Sequence, residues 1–231
     1  MQKVLITGAT GSIGEKLVEE FNNKGFFVYI HYFNNQKKAQ ELLESIEAGE
    51  LVYFDMRKKK SIQIALENIQ VDVLINNAGI TKDSLFFFMK DEEFEDVMHT
   101  NVNALFYITK ILSKNMIMEK KGSIVNIASI SGLIGNEGQA NYSASKGAVI
   151  AFTKTLCAEL GRYNIRVNAL APGIIESEMI ENLPKKKELK KSIPLKRFGK
   201  AQEVAKCAYF IGVEATYVSG EVLNISGGMV R

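Results

Sequence analysis

Seven short runs rich in valine and isoleucine recur along the chain, and longer segments of helical period separate them. The runs are Lys3–Ile6, Phe26–His31, Leu51–Phe54, Val71–Ile75, Ser123–Ile127, Arg166–Ala171 and Val222–Ile225. A strand that is apolar throughout has to be covered on both faces, as in a parallel sheet packed between helices. Glu15–Asn23, Lys37–Ile46 and Ala201–Ile211 carry the amphipathic helical pattern between the runs. This alternation predicts an α/β fold: a Rossmann-like, doubly wound parallel sheet of about seven strands, helices on both faces, with right-handed crossovers. A chain of 231 residues can bury one sizeable core and is short for two, so 1–231 reads as a single domain. The segment 174–197, which contains Pro184-Lys185-Lys186-Lys187 and Lys190-Lys191, interrupts the alternation and reads either as a lid or as a solvated helix.

Three turns follow the carboxyl ends of predicted strands, where an open parallel sheet binds its ligand. The first is Thr7-Gly8-Ala9-Thr10-Gly11-Ser12-Ile13-Gly14, which opens a helix. Glycines there let the backbone approach a pyrophosphate, whose charge the free N–H groups and dipole of the helix N-terminus favour. Glu15 stands where a phosphate-gripping nucleotide hydrolase requires lysine, which rules that class out. Asp55 closes the third strand and Asn76-Asn77-Ala78-Gly79 the fourth. Taken singly, either is an ordinary turn former.

Ser129 ends the fifth strand, Tyr142 follows thirteen residues later, and Lys146 lies four beyond it on a helical pattern running to Leu160. Residues i and i+4 share a helix face. Reduction of a ketone builds negative charge on oxygen, which a proton donor has to meet. A neighbouring ammonium is expected to lower the tyrosine pKa from its ordinary value of about 10. Ser129 can donate to the same oxygen. Ser131 and Ser143 are rival hydroxyls and read as local structure.

The glycine-rich turn, the Asn-Asn-Ala-Gly turn and the ordered Ser, Tyr and Lys together resemble the short-chain dehydrogenase/reductase family. The resemblance covers nearly the whole chain and is closest to the 3-oxoacyl-[acyl-carrier-protein] reductases, through Asn136–Tyr142, Ile193–Gly199 and Tyr217–Glu221. It implies NADP(H)- or NAD(H)-dependent reduction of a 3-oxoacyl group in fatty acid synthesis. It further implies that Asp55 and Met56 contact the adenine and that Asn77, Ala78 and Gly79 line the adenosine side. Lys146 would hold the nicotinamide ribose, Asn101 would be a fourth catalytic residue, and Pro172, Gly173, Ile175 and Ser177 would face the nicotinamide. Asn101 has a plain structural reading too, as a buried polar residue bending its helix. Ser12 stands where the family pattern usually has glycine.

An acidic residue ending the second strand would bind the ribose hydroxyls of NAD. Here that end reads His31-Tyr32-Phe33-Asn34-Asn35, with Lys37 and Lys38 following, which favours NADP(H) and places Phe33 at the cofactor. Gly11, where NADP-using relatives often carry arginine, points the other way. The resemblance also implies an acyl carrier protein as partner, docking on basic residues near the cleft mouth, Lys120, Lys121 and Arg162, and a homotetramer.

A net charge of +3 gives no general affinity for nucleic acid. The N-terminus carries no secretory pattern and no stretch reaches the roughly 20 apolar residues of a membrane span, so the expected location is cytoplasmic. Cys157, Cys207, His31 and His99 form no metal-ligand cluster in the sequence, and no metal is expected.

Overall fold

A computed structural model describes residues 1–177 and 186–230. Seven strands form one sheet in the order β3-β2-β1-β4-β5-β6-β7, every neighbouring pair parallel. They are β1 (Lys3–Ile6), β2 (Phe27–Tyr32), β3 (Gly49–Tyr53), β4 (Val73–Asn76), β5 (Gly122–Ile127), β6 (Ile165–Pro172) and β7 (Val222–Ile225). The strand order reverses between β1 and β4, opening a crevice at their carboxyl ends.

The period-two alternation of a strand splits the apolar residues between two layers. Val4 and Ile6 face α1 (Ser12–Asn23), whose Leu17, Val18 and Phe21 are fully buried. Leu5 points to the opposite layer, where Ile62 and Leu66 of α3 (Lys59–Leu66) and Ile108, Leu112 and Met116 of α5 (Ala104–Glu119) pack. Phe21 meets Phe26 edge-on at 5.3 Å and Tyr209 at 5.4 Å. Burial of one such ring contributes about 1.5–3 kcal/mol. The remaining α-helices among the described residues are α2 (Gln36–Glu44), α4 (Asp91–Met98), α6 (Ser131–Ile134), α7 (Ala140–Leu160), α8 (Lys186–Ser192) and α9 (Ala201–Tyr209).

Between α4 and α5 the helix does not stop: His99–Asn103 forms a π turn that joins them into one rod. A second π turn, Phe210–Glu214, extends α9. At the amino end of the sheet the Arg166 guanidinium donates to the carbonyls of Ile211 and Gly212, both at 2.6 Å, and to that of Val218 at 3.2 Å. Four buried side chains knit β4 and β5 to the helices beneath the crevice. Asn76 Nδ2 donates to Thr109 Oγ1 (3.1 Å) and Asn126 Oδ1 (2.8 Å), and Asn126 Nδ2 donates to Thr153 Oγ1 (2.9 Å).

The expected lid at 174–197 lies partly outside the described residues. Of the rest, Ile175 pairs with Gly199 in an isolated parallel bridge, and α8 carries Lys190, whose Nζ sits 5.0 Å from the Phe198 ring centroid. Among the described residues no helix is long and apolar enough to cross a membrane.

Candidate active site

The glycine-rich turn is held from both sides. Gly8 adopts φ +62°, and a Cβ there would lie 2.8 Å from Ala78 Cα, so glycine is required. On the β4 side, the Asn77 and Ala78 N–H groups donate to Thr7 Oγ1, while Asn77 Nδ2 donates to the carbonyls of Thr7 and Gly8. On the β2 side, the Gly8 N–H donates to His31 Nδ1 at 2.9 Å and the Ala9 N–H to the His31 carbonyl at 3.0 Å. His31 Nε2 therefore carries the ring proton and donates it to the Phe54 carbonyl at 3.1 Å, with the imidazole stacked on Phe54. Burial holds the His31 pKa down at about 4, so the ring is neutral.

Gly14 is as constrained as Gly8, because a Cβ there would stand 2.3 Å from the Gly8 carbonyl oxygen. Thr10, Gly11, Ser12 and Ile13 complete the turn; Gly11 and Ser12 are exposed, and Ser12 and Ile13 begin α1. An extended anion fits this cradle, since a helix opens behind it with its first N–H groups facing the crevice.

A cavity of about 250 Å³ lies over the carboxyl ends of β4, β5 and β6. Ser12, Ile13, Asn77, Gly79, Ser129, Tyr142, Lys146, Pro172, Gly173, Ile175 and Ser177 line it. Residues expected at this site from widely separated segments thus meet at one cavity. Larger hollows of about 570 and 450 Å³ lie elsewhere, one of them between α3 and α5, away from these groups. Gly8, Thr10, Gly11, Gly14, Phe33, Asp55, Met56, Ala78 and Asn101 lie outside the cavity wall. Phe33 follows β2, and Asp55 and Met56 follow β3, on the β1 side of the switch point.

Lys146 is buried, and its Nζ donates to the Ile127 carbonyl at 2.6 Å while standing 5.6 Å from the Tyr142 ring centroid. Burial lowers its pKa to about 8. The expectation for Tyr142 is reversed: burial pushes its phenol up, the Ser129 hydroxyl pulls it part of the way back, and the Asp83 carboxylate raises it further. The ammonium that was to lower it is turned toward a strand carbonyl.

Asn101 sits in the π turn with its amide fully engaged. Oδ1 accepts from the Ile80 N–H at 2.9 Å, and Nδ2 donates to the Ile80 carbonyl and to Ser145 Oγ, each at 3.0 Å. A Cβ on Gly79 would lie 3.3 Å from Asn101 Oδ1 and 3.4 Å from Lys146 Nζ, so a side chain there would crowd both. Ser131 donates to Gln139 and its N–H to Ser129 Oγ, which fits a local role. Ser143 Oγ is buried without a partner among the described residues.

Three contributors escaped sequence reasoning. His31 props the turn, Ser145 orients Asn101, and the fully buried Asn141 anchors the start of α7 by donating to the Lys82 carbonyl at 2.8 Å. A polar residue inside an apolar strand was the available signal for His31.

Two expectations are corrected by placement. Lys38 forms an ion pair with Glu15 and is not a free cation for a cofactor phosphate, whereas Lys37 is 90% exposed and stands 3.8 Å from Glu41. Lys120 and Lys121 precede β5 and Arg162 precedes β6, so all three lie at the amino edge of the sheet. Ser129 lies beyond the other end of β5, a strand of six residues rising about 3.3 Å each. Within the chain this basic trio does not face the cleft mouth.

The family described as short chain dehydrogenase matches residues 2–188. The 3-oxoacyl-[acyl-carrier-protein] reductase of Thermotoga maritima is 41% identical over 237 residues, covering 98% of this chain and 96% of its own. That of Staphylococcus epidermidis is 37% identical over 240 residues, with 99% and 98% covered. Nodulation protein G of Rhizobium meliloti is 36% identical over 236 residues, with 99% and 96% covered. With the parallel sheet, the switch-point crevice and these relatives together, the chain belongs to the short-chain dehydrogenase family of oxidoreductases.

Proposed function

We propose that this protein is an NADPH-dependent 3-oxoacyl-[acyl-carrier-protein] reductase of fatty acid synthesis, acting in the cytoplasm as one catalytic domain. The observation that carries the reading is the meeting of Ser129, Tyr142 and Lys146 at one cavity beside the glycine-rich turn, in a chain similar to reductases of that name.

A nicotinamide cofactor, when bound, would supply the hydride. Tyr142 gives the proton to the carbonyl oxygen of the substrate, and burial suits it to that task by keeping the phenol protonated at neutral pH. Ser129 donates a second hydrogen bond to the same oxygen. Lys146 holds the ribose hydroxyls and Asn101 fixes the loop at Gly79–Ile80 against α7. Asp55 and Met56 take the adenine; Gly8, Thr10, Gly11, Ser12, Ile13 and Gly14 the pyrophosphate; Asn77, Ala78 and Gly79 the adenosine side; and Pro172, Gly173, Ile175 and Ser177 the carboxamide. The lack of a carboxylate after β2 supports NADPH over NADH. A homotetramer is the proposed assembly, supported by the half-exposed Phe106 and its edge contact with Phe152 on the outer faces of α5 and α7.

The test follows nicotinamide absorbance with acetoacetyl-carrier protein and either cofactor, with Tyr142→Phe as control. Rapid NADPH oxidation that vanishes in the variant is the expected result. No turnover with either cofactor, despite tight cofactor binding, would overturn the carrier-bound substrate and direct the search to other ketones.

A further inference from the structure

The carboxyl end of β2 carries no ionised side chain from His31 to Asn35. No acidic residue stands between Tyr32 and Lys38, His31 is neutral, Gly11 has no side chain, and of the two lysines in α2 Lys38 is paired with Glu15 while Lys37 points into solvent, 90% exposed and 3.8 Å from Glu41. The cation that reaches this rim comes from the neighbouring strand. The Arg57 guanidinium carbon lies 5.7 Å from the Phe33 ring centroid, and Phe33 is itself stacked on Tyr53 at 6.1 Å and 24°. Asp55 orients the group as a fork: Nε donates to Oδ1 at 3.2 Å and Nη2 to Oδ2 at 3.3 Å. The Arg57 backbone N–H adds a third bond to Oδ1 at 2.9 Å.

This geometry spends one edge of the guanidinium and leaves the other. The Asp55 side chain is 6% exposed and that of Arg57 51%, and Nη1 has no partner among the described residues. Lys58 Nζ stands 3.8 Å from Asp55 Oδ2, so this one carboxylate faces two cations, and the Asp96 carboxylate of α4 also acts on Arg57.

We propose that Arg57, laid on Phe33 and oriented by Asp55, selects the 2′-phosphorylated adenosine and is the specificity-determining residue for NADPH. The inference rests on the NADPH reading above and assigns its cause. A guanidinium donates charge-assisted hydrogen bonds to a phosphate, whereas a bare ribose hydroxyl has no charge for it to meet. Phe33 supplies an apolar platform that fixes the side chain and gives no hydroxyl to favour the unphosphorylated ribose.

The experiment is calorimetric titration of two probes without nicotinamide, 2′,5′-ADP and ordinary 5′-ADP, into wild type, Arg57→Leu and Arg57→Gln. Steady-state kcat/KM with NADPH and NADH runs beside it. Wild type is expected to prefer 2′,5′-ADP by at least about tenfold, a difference of about 1.4 kcal/mol. Both variants are expected to lose most of that preference, and the NADPH-to-NADH ratio is expected to fall with it. The glutamine variant retains a donor for Asp55 and so separates lost charge from a disturbed loop. A preference that survives in either folded variant overturns the assignment to Arg57 and leaves the NADPH reading standing. Equal weakening of both probes shows a structural role and also overturns it. A wild type indifferent to the 2′-phosphate overturns the NADPH reading and this inference together.

Discussion

The Nδ1 atom of His31 accepts the backbone N–H of Gly8 at 2.9 Å, so a neutral imidazole from β2 hangs the dinucleotide turn on the sheet. Protonation of Nδ1 would turn that acceptor into a donor facing a donor. Burial has lowered the folded pKa to about 4 from the ordinary 6.5, so the unfolded chain takes up this proton first as pH falls. The stability that His31 contributes is complete above pH 6.5 and is lost as pH falls from 6.5 toward 4. The loss amounts to about 3.5 kcal/mol at most, from about 1.4 kcal/mol per pKa unit. Urea unfolding between pH 7.5 and 4 should show this slope in wild type and a shallower one in His31→Gln. Equal slopes would refute the assignment.

Lys146 titrates at about 8 in the free protein, because burial opposes its charge. If the ammonium holds the ribose, cofactor affinity should be flat below pH 8. Above it, affinity should weaken by as much as about tenfold per pH unit as the proton is lost. Cofactor fluorescence between pH 6.5 and 9.5 reads this directly. Lys146→Met should bind more weakly and without the alkaline limb, and a limb that persists in the variant belongs to another group.

Ser145 accepts one N–H of the Asn101 amide and donates to the Tyr142 carbonyl at 2.8 Å. Ser145→Ala leaves a buried amide hydrogen without a partner, at a cost of about 1–3 kcal/mol. The expected consequence is a kcat lowered about tenfold, corresponding to 1.4 kcal/mol, with KM for the ketone nearly unchanged, since Asn101 positions rather than binds. A change in KM alone would place Ser145 in substrate binding instead.

Arg166 is half-buried, without a carboxylate partner among the described residues, and its fork satisfies the carbonyls of Ile211, Gly212 and Val218. Arg166→Lys cannot reproduce that geometry. It should lose roughly 2–4 kcal/mol of stability, with the Tm falling by about 2–4 °C per kcal/mol. Scanning calorimetry checks it, and a Tm within 2 °C of wild type would contradict the carbonyl-capping role.

The sheet was legible because its central strands are buried on both faces, and a run such as Val4–Ile6 has no polar side to confuse the reading. Boundaries slipped where pairing rather than hydrophobicity decides them. Gly49 and Glu50 belong to β3 because they pair with Val28 and Tyr29, although neither is apolar. Spacing sufficed to bring Ser129, Tyr142 and Lys146 to one cavity. It could not reveal that the Lys146 ammonium turns to Ile127, or that burial outweighs it at Tyr142. His31 and Ser145 act through partners 23 and 44 residues away, and no local pattern announces such a pairing. Lys120, Lys121 and Arg162 were misplaced for the opposite reason: they precede β5 and β6, and a strand carries its two ends to opposite edges of the molecule.

The π turn at His99–Asn103 makes the length of this rod, and not only its composition, a carrier of information. A helix advances by about 100° per residue, so the extra residue sets the stretches before and after it out of phase. That offset lets Asn101 address Ile80 and Ser145 while Ile108, Leu112 and Met116 still address the sheet. Deleting a single residue between 99 and 103 would let the rod close into one uniform helix and swing one of these two faces away from its partner. Apart from Asn101 the segment should therefore tolerate changes of letter better than any change of count, which is the reverse of what surface loops permit.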